Sequence, residues 1–592
     1  MPEKTEKTEY QKEESRIGIL TVIAAFIGFV AGVIAFALYH LIGSLTELFF
    51  YGKFVLNFGT QLPSPVGNPL GLFVIAIPVI GGIIAGVMIK YGSTQIIGHG
   101  IPEAMESILL RRSKIPPKVG ILKAISAAFT IGSGQPFGAE GPIIQTGGAF
   151  GSYIGQIIKM SGEERKILLA CGAAAGMAAT FGTPISAVLL VIELLLFEFR
   201  VKSLVPVAIA SAIGAGMHIV LISSQPLFFI QTPFDFGKNG GLYILPYFVV
   251  LGLICGVAGT FLSRSLYKSE DLFRKLPIGH PWLPAIGGLA AGIIGYFVPY
   301  TLGVGYNVIT DVITGQFVVT LVIAIALAKA LSWILAMGSQ TSGGTLAPLF
   351  LVGASLGSAY GTGLAHVVPG WSLSAGIFSI AAMGAVFGTA SRAPFASILF
   401  VLEVTQQFQG VLPIIVTAVV AELVGEYLME DSIMTEKLAR RGMRVRNIYE
   451  YNPLRQITVK RLMSSPLVTV DAKTSAVDVY KQANEPKSQY WNKKRFVVLK
   501  DGKILGIATR EQLYEEAAKA DPDLTIEKIS SKDGYYTIRE DELGYQALQM
   551  MALYNAKFLI VLDKQDKPVG YVSLGDLTQA LRHKVIDETV MG

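Results

Sequence analysis

The chain has 592 residues, of which 52% are hydrophobic and only 16% are charged, and its net charge is +6. Soluble globular domains carry about 25% charged residues, so most of this chain cannot be ordinary soluble protein. The dilute positive charge also argues against a nucleic-acid partner. Residues 1–16 are rich in Glu and Lys, residues 17 to about 430 are apolar, and the remainder has a soluble composition.

This division predicts four segments along the chain. They are a cytosolic N-terminal segment at 1–16, a transmembrane domain at 17–435, a linker at 436–456 and a soluble domain at 457–592. The two cysteines, Cys171 and Cys255, lie in apolar stretches, where they form neither a disulfide framework nor a metal site.

The first apolar run, residues 17–42, is too long for the core of a signal peptide and predicts a spanning helix. Many later apolar stretches are shorter than the roughly 20 residues that cross a bilayer. They are interrupted by proline and by many of the 64 glycines. Broken helices at membrane depth occur where they line a cavity or are buried in protein, so the pattern favours a transporter or channel.

An internal repeat divides the apolar region into halves at about 17–200 and 240–428. The glycine-rich segment 132–142 matches segment 338–348 at an offset of 206, the separation of Pro142 and Pro348. Paired Gly- and Pro-interrupted segments in two halves indicate a transport site. We therefore expect these loops to converge inside the membrane and to offer backbone N–H groups to an anion.

Glu140 stands in the first of these loops, beside Gly138, Gly141 and Pro142. An intramembrane carboxylate costs roughly 2.5–3.5 kcal/mol to insert, which makes it a functional candidate. Helix N-termini attract anions, so Glu140 is interpreted as a tethered anion that competes with a diffusing one. The alternative is a carboxylate that caps its own helix.

Four other polar residues of the apolar region have structural alternatives. His99, in the glycine-proline turn 98–102, either contributes to an anion site or is a structural residue. Glu193 and Glu403 each lie nine residues after a proline, Pro184 or Pro394, and either face water or bind a neighbouring loop. Arg392 is interpreted as capping a neighbouring helix.

The C-terminal region is also duplicated, with strand-like runs at 495–499 and 558–562 and helical runs at 475–484 and 544–554. Two α/β repeats of about 60 residues are expected to pack as one unit. Thr509, Ser573 and Asp576 follow short strands in a G-φ-φ-[ST]-x-x-D pattern that suits a phosphate and ribose hydroxyls. Helix capping is the competing explanation for these three residues.

Taken together, these motifs resemble the CLC family of chloride channels and proton/chloride antiporters, followed by tandem cystathionine-β-synthase (CBS) modules. Three family signatures have counterparts in order: GSGIP appears as GHGIP at 98–102, G(K/R)EGP as GAEGP at 138–142 and GxFxP as GTLAP at 344–348. The resemblance implies an all-α polytopic membrane domain of inverted repeats with broken, tilted helices, followed by an α/β cytosolic tandem CBS (Bateman) domain.

The resemblance also implies that the chain works as a homodimer in the lipid bilayer of the plasma or cell membrane. Glu140 matches the gating glutamate, and an adenine nucleotide is a candidate regulator, with no cofactor required. The implied anion site comprises His99, Gly100, Gly138, Ala139, Gly141, Thr345, Leu346, Ala347 and Met434. Arginines at 440, 441, 444 and 446 agree with a cytoplasmic CBS domain by the positive-inside tendency.

Three of these positions depart from the family pattern, since His99 replaces a serine, Leu346 an aromatic residue and Met434 a tyrosine. Leu194 stands where many exchangers have a proton-relay glutamate. The function predicted on this basis is passive conduction of chloride or a related anion, gated by Glu140 and modulated by nucleotide. The main alternative is proton-coupled anion exchange; a cation carrier would need clustered carboxylates, and no enzyme constellation or metal motif is visible.

Overall fold

The computed structural model describes residues 3–56, 61–230, 241–368, 374–440, 454, 457–465, 467–491, 493, 495–517, 524–530 and 535–580. The chain divides into two compact units, Met1–Asn447 and Ile448–Gly592. The division falls inside the segment interpreted as a linker, most of which, including Arg441, Arg444 and Arg446, lies outside the described residues.

Helices are the regular secondary structure of the first unit in its described residues. Its helices are α1 (Glu3–Tyr51), α2 (Ala76–Tyr91), α3 (Ile101–Leu110), α4 (Pro117–Gly132), α5 (Glu140–Ile157), α6 (Gly162–Phe181), α7 (Pro184–Val191), α8 (Val201–Leu221), α9 (Leu245–Arg274), α10 (Leu283–Phe297), α11 (Tyr306–Ile313), α12 (Val319–Gly338), α13 (Leu346–Val367), α14 (Ala375–Ser391), α15 (Pro394–Thr405), α16 (Val411–Leu428) and α17 (Glu436–Ala439). α7 continues as a π-helical turn at Ile192–Leu196.

Six described helices are long and apolar enough to cross a bilayer. They cover Arg16–Tyr51, Gly71–Tyr91, Val201–Leu221, Leu245–Arg274, Val319–Gly338 and Phe408–Leu428. Large apolar side chains on them are exposed, such as Val22 and Phe261, which suits contact with lipid. The protein is therefore an integral, multi-pass membrane protein. α1 begins at Glu3, so the polar segment predicted to precede the first span is part of the same helix.

The repeated prolines and glutamates make a reciprocal contact between the two halves. Pro184 and Pro394 open α7 and α15, as expected for proline in a first helical turn. The Glu193 carboxylate accepts hydrogen bonds from the N–H groups of residues 395 and 396, at 3.3 and 2.9 Å. The Glu403 carboxylate accepts them from residues 185 and 186, at 2.9 and 2.8 Å. Each glutamate thus caps the helix of the other half, which favours the structural interpretation of both.

The repeated glycines are sites of close helix packing. Gly147 of α5 lies against Gly172 of α6, and a Cβ on either residue would come closer than 3.0 Å to the backbone of the other helix. The repeat partner Gly353 of α13 lies against the backbone of α14 in the same way. Small residues permit this approach between membrane helices, so the glycine repeat is explained by packing.

The second unit contains two similar three-stranded sheets. Its strands are β1 (Thr469–Asp471), β2 (Arg495–Lys500), β3 (Lys503–Thr509), β4 (Thr537–Arg539), β5 (Phe558–Leu562) and β6 (Pro568–Ser573), and its helices are α18 (Val459–Leu462), α19 (Ala476–Ala483), α20 (Arg510–Ala517), α21 (Ile526–Ile529) and α22 (Gly544–Leu553). In each sheet a parallel pair is followed by an antiparallel pair. The register shifts at equivalent points, Val498/Leu499 and Val561/Leu562. The predicted duplication is confirmed.

The two sheets share an apolar cluster that includes Val497, Ile507 and Ile560. Arg495 lies over the Phe558 ring, 4.4 Å from its centroid, and so adds a cation–π contact between the repeats. The repeats therefore pack as one unit.

Replacing Gly172 by Val is expected to destabilise the membrane unit by about 1–3 kcal/mol, because the new side chain overpacks the α5–α6 contact. Thermal unfolding of the detergent-solubilised protein measures the loss. Gly363→Val is the matched control, since a Cβ there meets no atom within 4 Å. Equal melting temperatures for the two variants would contradict the packing role of Gly172.

Candidate anion site

The glycine-rich loops of the two halves meet in the interior of the membrane unit. Gly98 forms a parallel bridge with Ser342, and Gly138 forms an antiparallel bridge with Gly344. The Thr130 hydroxyl donates to the Ser342 carbonyl at 2.7 Å and ties the loops further. The predicted convergence of these loops is confirmed.

Glu140 is the first residue of α5, and its side chain crosses to the start of α13. Its Oε1 accepts hydrogen bonds from the N–H groups of Leu346 and of Ala347, the latter at 3.1 Å. The residue is 1% exposed, and Oε2 has no hydrogen-bond partner among the described residues. Both hydrogen bonds of Oε1 therefore run to the opposite half. A negative charge at the N-terminus of α13 is stabilised by its free amides and dipole.

The other residues predicted for the site surround this contact, but several of their amides are already used. The Gly138 N–H donates to Gly344 at 3.3 Å, and the Gly100 N–H donates to Oε2 of Glu103 at 2.8 Å. The Met434 N–H donates to the Ser432 hydroxyl at 3.2 Å. The buried residues Ala139 and Thr345 are the N-caps of α5 and α13, and Gly141 lies in the first turn of α5. In this structure the amides of Leu346 and Ala347 are thus occupied by a carboxylate.

His99 lies on the side of the loops that faces α17. Its imidazole is 5% exposed, and neither ring nitrogen has a hydrogen-bond partner among the described residues. It lines a small cavity of about 30 Å³ with Glu103, Tyr267 and Lys437. Lys437 forms an ion pair with Glu103. The Tyr267 hydroxyl donates to the Ile433 carbonyl at 2.7 Å and so holds the segment that contains Met434.

Two buried lysines that were not predicted from the sequence hold nearby loops through their ammonium groups. The Lys123 ammonium donates to the carbonyls of Ile96 and Gly98, at 3.0 and 2.5 Å. The Lys329 ammonium donates to the carbonyls of Thr301 and Gly303, at 3.0 and 2.8 Å. Both lysines are fully buried. Lys123 and Lys329 are separated by 206 residues, the offset of the internal repeat, so a search for charged residues at that offset could have predicted them.

Residues 81–426 match the family described as voltage gated chloride channel, which is more than half of the chain. The chain belongs to the CLC family. Residues 459–519 and 526–583 match CBS domains, so the α/β unit carries the predicted pair. The fold class predicted from the sequence is confirmed in its helical CLC membrane domain and its α/β C-terminal region.

Bacterial relatives named H+/Cl− exchange transporter ClcA share about a third of their residues with this CLC chain. That of Yersinia pestis is 34% identical over 355 residues, which is 58% of this chain and 72% of the relative. That of Salmonella arizonae is 33% identical over 351 residues, 58% of this chain and 73% of the relative.

Solved structures of the family are also similar. One is a slow cyanobacterial Cl−/H+ antiporter, 25% identical with a TM-score of 0.63, which covers 71% of this chain and 97% of that chain. A eukaryotic CLC transporter, 20% identical with a TM-score of 0.63, shares the fold over 94% of this chain and 97% of its own.

The structure also places Leu194 and Arg392, the remaining residues of the membrane unit singled out from the sequence. Leu194, in the π-helical turn after α7, is 2% exposed and contributes no polar group. Arg392 bonds the carbonyls of Gly425 and Met429 near the end of α16, as its capping interpretation predicts.

In the CBS unit, the predicted nucleotide residues are engaged in local capping. The Asp576 carboxylate accepts from the N–H and hydroxyl of Ser573, at 2.7 and 2.6 Å, and from the Ser464 hydroxyl at 3.2 Å. In the first repeat, Gln512 takes the place of the aspartate and accepts from the Thr509 N–H at 2.8 Å. The arrangement agrees with the capping alternative, and nucleotide binding stays a prediction.

His99→Ser is expected to change the order of anion preference, because an imidazole N–H and a serine hydroxyl place their donors differently. Burial disfavours a charged imidazole, so His99 contributes a neutral donor. A neutral hydrogen bond is worth about 0.5–1.5 kcal/mol, so the relative affinities of competing anions should shift by up to about ten-fold.

Competition between chloride, bromide, nitrate and fluoride in vesicle flux assays measures this effect. The exposed His366 provides the control, as His366→Ser. An unchanged order of anion preference in His99→Ser would exclude His99 from the anion site.

Asp576→Ala is expected to destabilise the CBS unit by about 1 kcal/mol even without nucleotide, because the capping hydrogen bonds are lost. If the predicted nucleotide site exists, ATP should also stabilise the unaltered protein and fail to stabilise the variant. Thermal unfolding of the full chain with and without ATP separates the two effects. Equal stabilisation of both proteins by ATP would show that Asp576 does not contribute to nucleotide binding.

Proposed function

We propose that the protein exchanges a chloride-like anion for protons across the membrane, with Glu140 as the group shared by both ions. The observation that carries this proposal is the position of the Glu140 carboxylate. Its Oε1 occupies the amides of Leu346 and Ala347 between the two halves, while Oε2 is buried without a partner.

The geometry supports competition between the carboxylate and a diffusing anion. Both are negative, and both are stabilised by the same N–H groups at the start of α13. An anion can therefore use these amides only after the carboxylate has left them. Protonation of Glu140 removes its charge and weakens its hold, because hydrogen bonds to a charged acceptor are stronger than those to a neutral one. Proton uptake and anion entry are thus linked at one site.

The relatives support the ions involved. The ClcA proteins that share about a third of their residues with this chain are named H+/Cl− exchange transporters. The cyanobacterial structure at 25% identity is described as a Cl−/H+ antiporter. We extend chloride and proton to this chain on that basis.

Passive anion conduction, the function predicted first from the sequence, is the second candidate. The observation that favours it is Leu194, because a buried leucine cannot carry protons at a position where the resemblance places a relay glutamate in many exchangers. In that case Glu140 would gate an anion pore without stoichiometric proton movement.

Assembly and regulation follow from the family resemblance. We propose that the chain acts as a homodimer and that its CBS unit lies in the cytoplasm. An adenine nucleotide bound by the CBS unit would then modulate transport. Cross-linking in native membranes tests the dimer, and ATP dependence of flux in oriented vesicles tests the regulation.

Glu140→Gln is expected to abolish proton movement and to leave anion flux that no longer responds to pH. Vesicles that contain the unaltered protein should use an imposed chloride gradient to drive protons uphill, which a pH-sensitive dye measures. A flux controlled by one proton changes by up to about ten-fold per pH unit, and glutamine removes that dependence.

Glu47→Gln, a partly exposed carboxylate on α1, serves as the control and should behave like the unaltered protein. Dissipation of the chloride gradient by the unaltered protein without any proton movement would instead establish passive conduction.

A further inference from the structure

A cavity of about 360 Å³ lies at the C-terminal end of α1. We call it the vestibule, and its polar lining includes Thr46, Gln61, Thr180, His218, Tyr306 and Asn307. The span of α1 begins at Arg16, and Arg440 follows the last span. Cationic residues of this kind favour the cytoplasmic side. The vestibule, at the other end of α1, therefore faces the outside.

Tyr306 connects the vestibule with Glu140. It is the first residue of α11, its side chain lines the vestibule, and it is 9% exposed. Its hydroxyl has no hydrogen-bond partner among the described residues. The hydroxyl lies near the Glu140 carboxylate and the backbone of Ala139. One side chain thus borders both the water-accessible space and the neighbourhood of the buried acid.

The Tyr306 ring is held without help from its hydroxyl. Phe181 and Phe228 pack edge-on against it, each with its ring centroid 6.1 Å away. Phenylalanine would fill the same space, and a buried hydroxyl without a partner costs free energy. Packing therefore explains the ring, while the oxygen atom has the backbone of Ala139 and the Glu140 carboxylate near it.

The environment of the hydroxyl contains few other titratable groups. Tyr39 of α1 is close to it, and His218 of α8 lines the vestibule. The His218 Nδ1 is bonded to the Ala179 carbonyl at 2.8 Å. Lys329 of α12 is near Glu140 but donates to backbone carbonyls, at 3.0 and 2.8 Å for the two shortest bonds.

We propose that Tyr306 relays protons between the vestibule and Glu140. A phenol both donates and accepts a hydrogen bond. Neither the hydroxyl nor Oε2 of Glu140 has a hydrogen-bond partner among the described residues, so one water between them completes the path. The O–H bond of Tyr306 breaks as its proton passes to this water, which gives a proton to Oε2, and a new O–H bond forms with a proton from vestibule water. The tyrosine is unchanged afterwards, and one proton has moved inward. This inference rests on the proposed exchange function, since passive conduction needs no such relay.

Tyr306→Phe tests the relay, because it removes one oxygen atom and keeps the ring. In vesicles with an imposed chloride gradient, we expect the rate of uphill proton movement to fall by about a hundred-fold, the lower end of the effects of a positioned proton-transfer group. Chloride flux should fall with it at neutral pH, because exchange couples the two ions, and both rates should recover at low external pH, where a higher proton concentration compensates for the slower transfer.

Tyr39→Phe is the matched control, because it makes the same change in the same vestibule. It should leave both rates within about two-fold. Should Tyr306→Phe fail to fold, the pair Tyr306→His and Tyr306→Leu replaces it, since only the histidine can donate and accept a proton. Faster proton movement by the histidine variant supports the relay, and equal rates overturn it.

The outcomes separate this inference from the exchange function. If Glu140→Gln abolishes proton movement while Tyr306→Phe moves protons at the unaltered rate, the relay alone is overturned. Equal slowing of chloride and protons at every pH would also overturn it, because the hydroxyl would then act on anion passage. If the unaltered protein moves no protons uphill, the exchange function itself fails.

Discussion

The membrane unit depends on one interaction, in which a buried carboxylate of the first half accepts hydrogen bonds from backbone amides that open a helix of the second half. The Glu140 side chain can reach Leu346 and Ala347 only because loops from both halves pair at Gly98, Gly138 and their partners. A charge buried in a medium of low polarity is tolerated only with such partners. The paired loops around Glu140 keep its carboxylate within hydrogen-bond distance of these amides.

Duplication explains how a chain of short helices can hold that contact in place. Glu193 caps the N-terminus of α15, and Glu403 caps that of α7. Lys123 and Lys329 each donate hydrogen bonds to backbone carbonyls of a loop that contains glycine. Backbone groups freed by broken helices cannot be solvated by lipid. The chain therefore supplies buried charged side chains, in two matching pairs, near points where its helices begin or stop.

Much of this fold was predictable because it depends on local patterns. Apolar runs, the glycine repeat and the proline starts mark the helices and the convergence of the two halves, and the strand runs at 495–499 and 558–562 recur as β2 and β5. Contacts that join distant parts of the chain could not be predicted this way. Nothing in the sequence near Glu103 indicates a partner at Lys437, and the use of the Gly100 and Gly138 amides by Glu103 and Gly344 depends on side-chain and loop geometry.

The same geometry bears on whether protons and anions move together. If the Glu140 carboxylate leaves the amides while still charged, it gives up two hydrogen bonds and carries its charge through a buried space, at considerable cost. A proton on the unpartnered Oε2 removes the charge before the side chain moves. Under the proposed exchange function, coupling is then the path of lowest free energy, because an anion finds the amides vacant only when the acid is protonated. Conduction without protons requires water to reach Glu140 in sufficient quantity to solvate the displaced carboxylate. The burial of Glu140, at 1% exposed, argues against this.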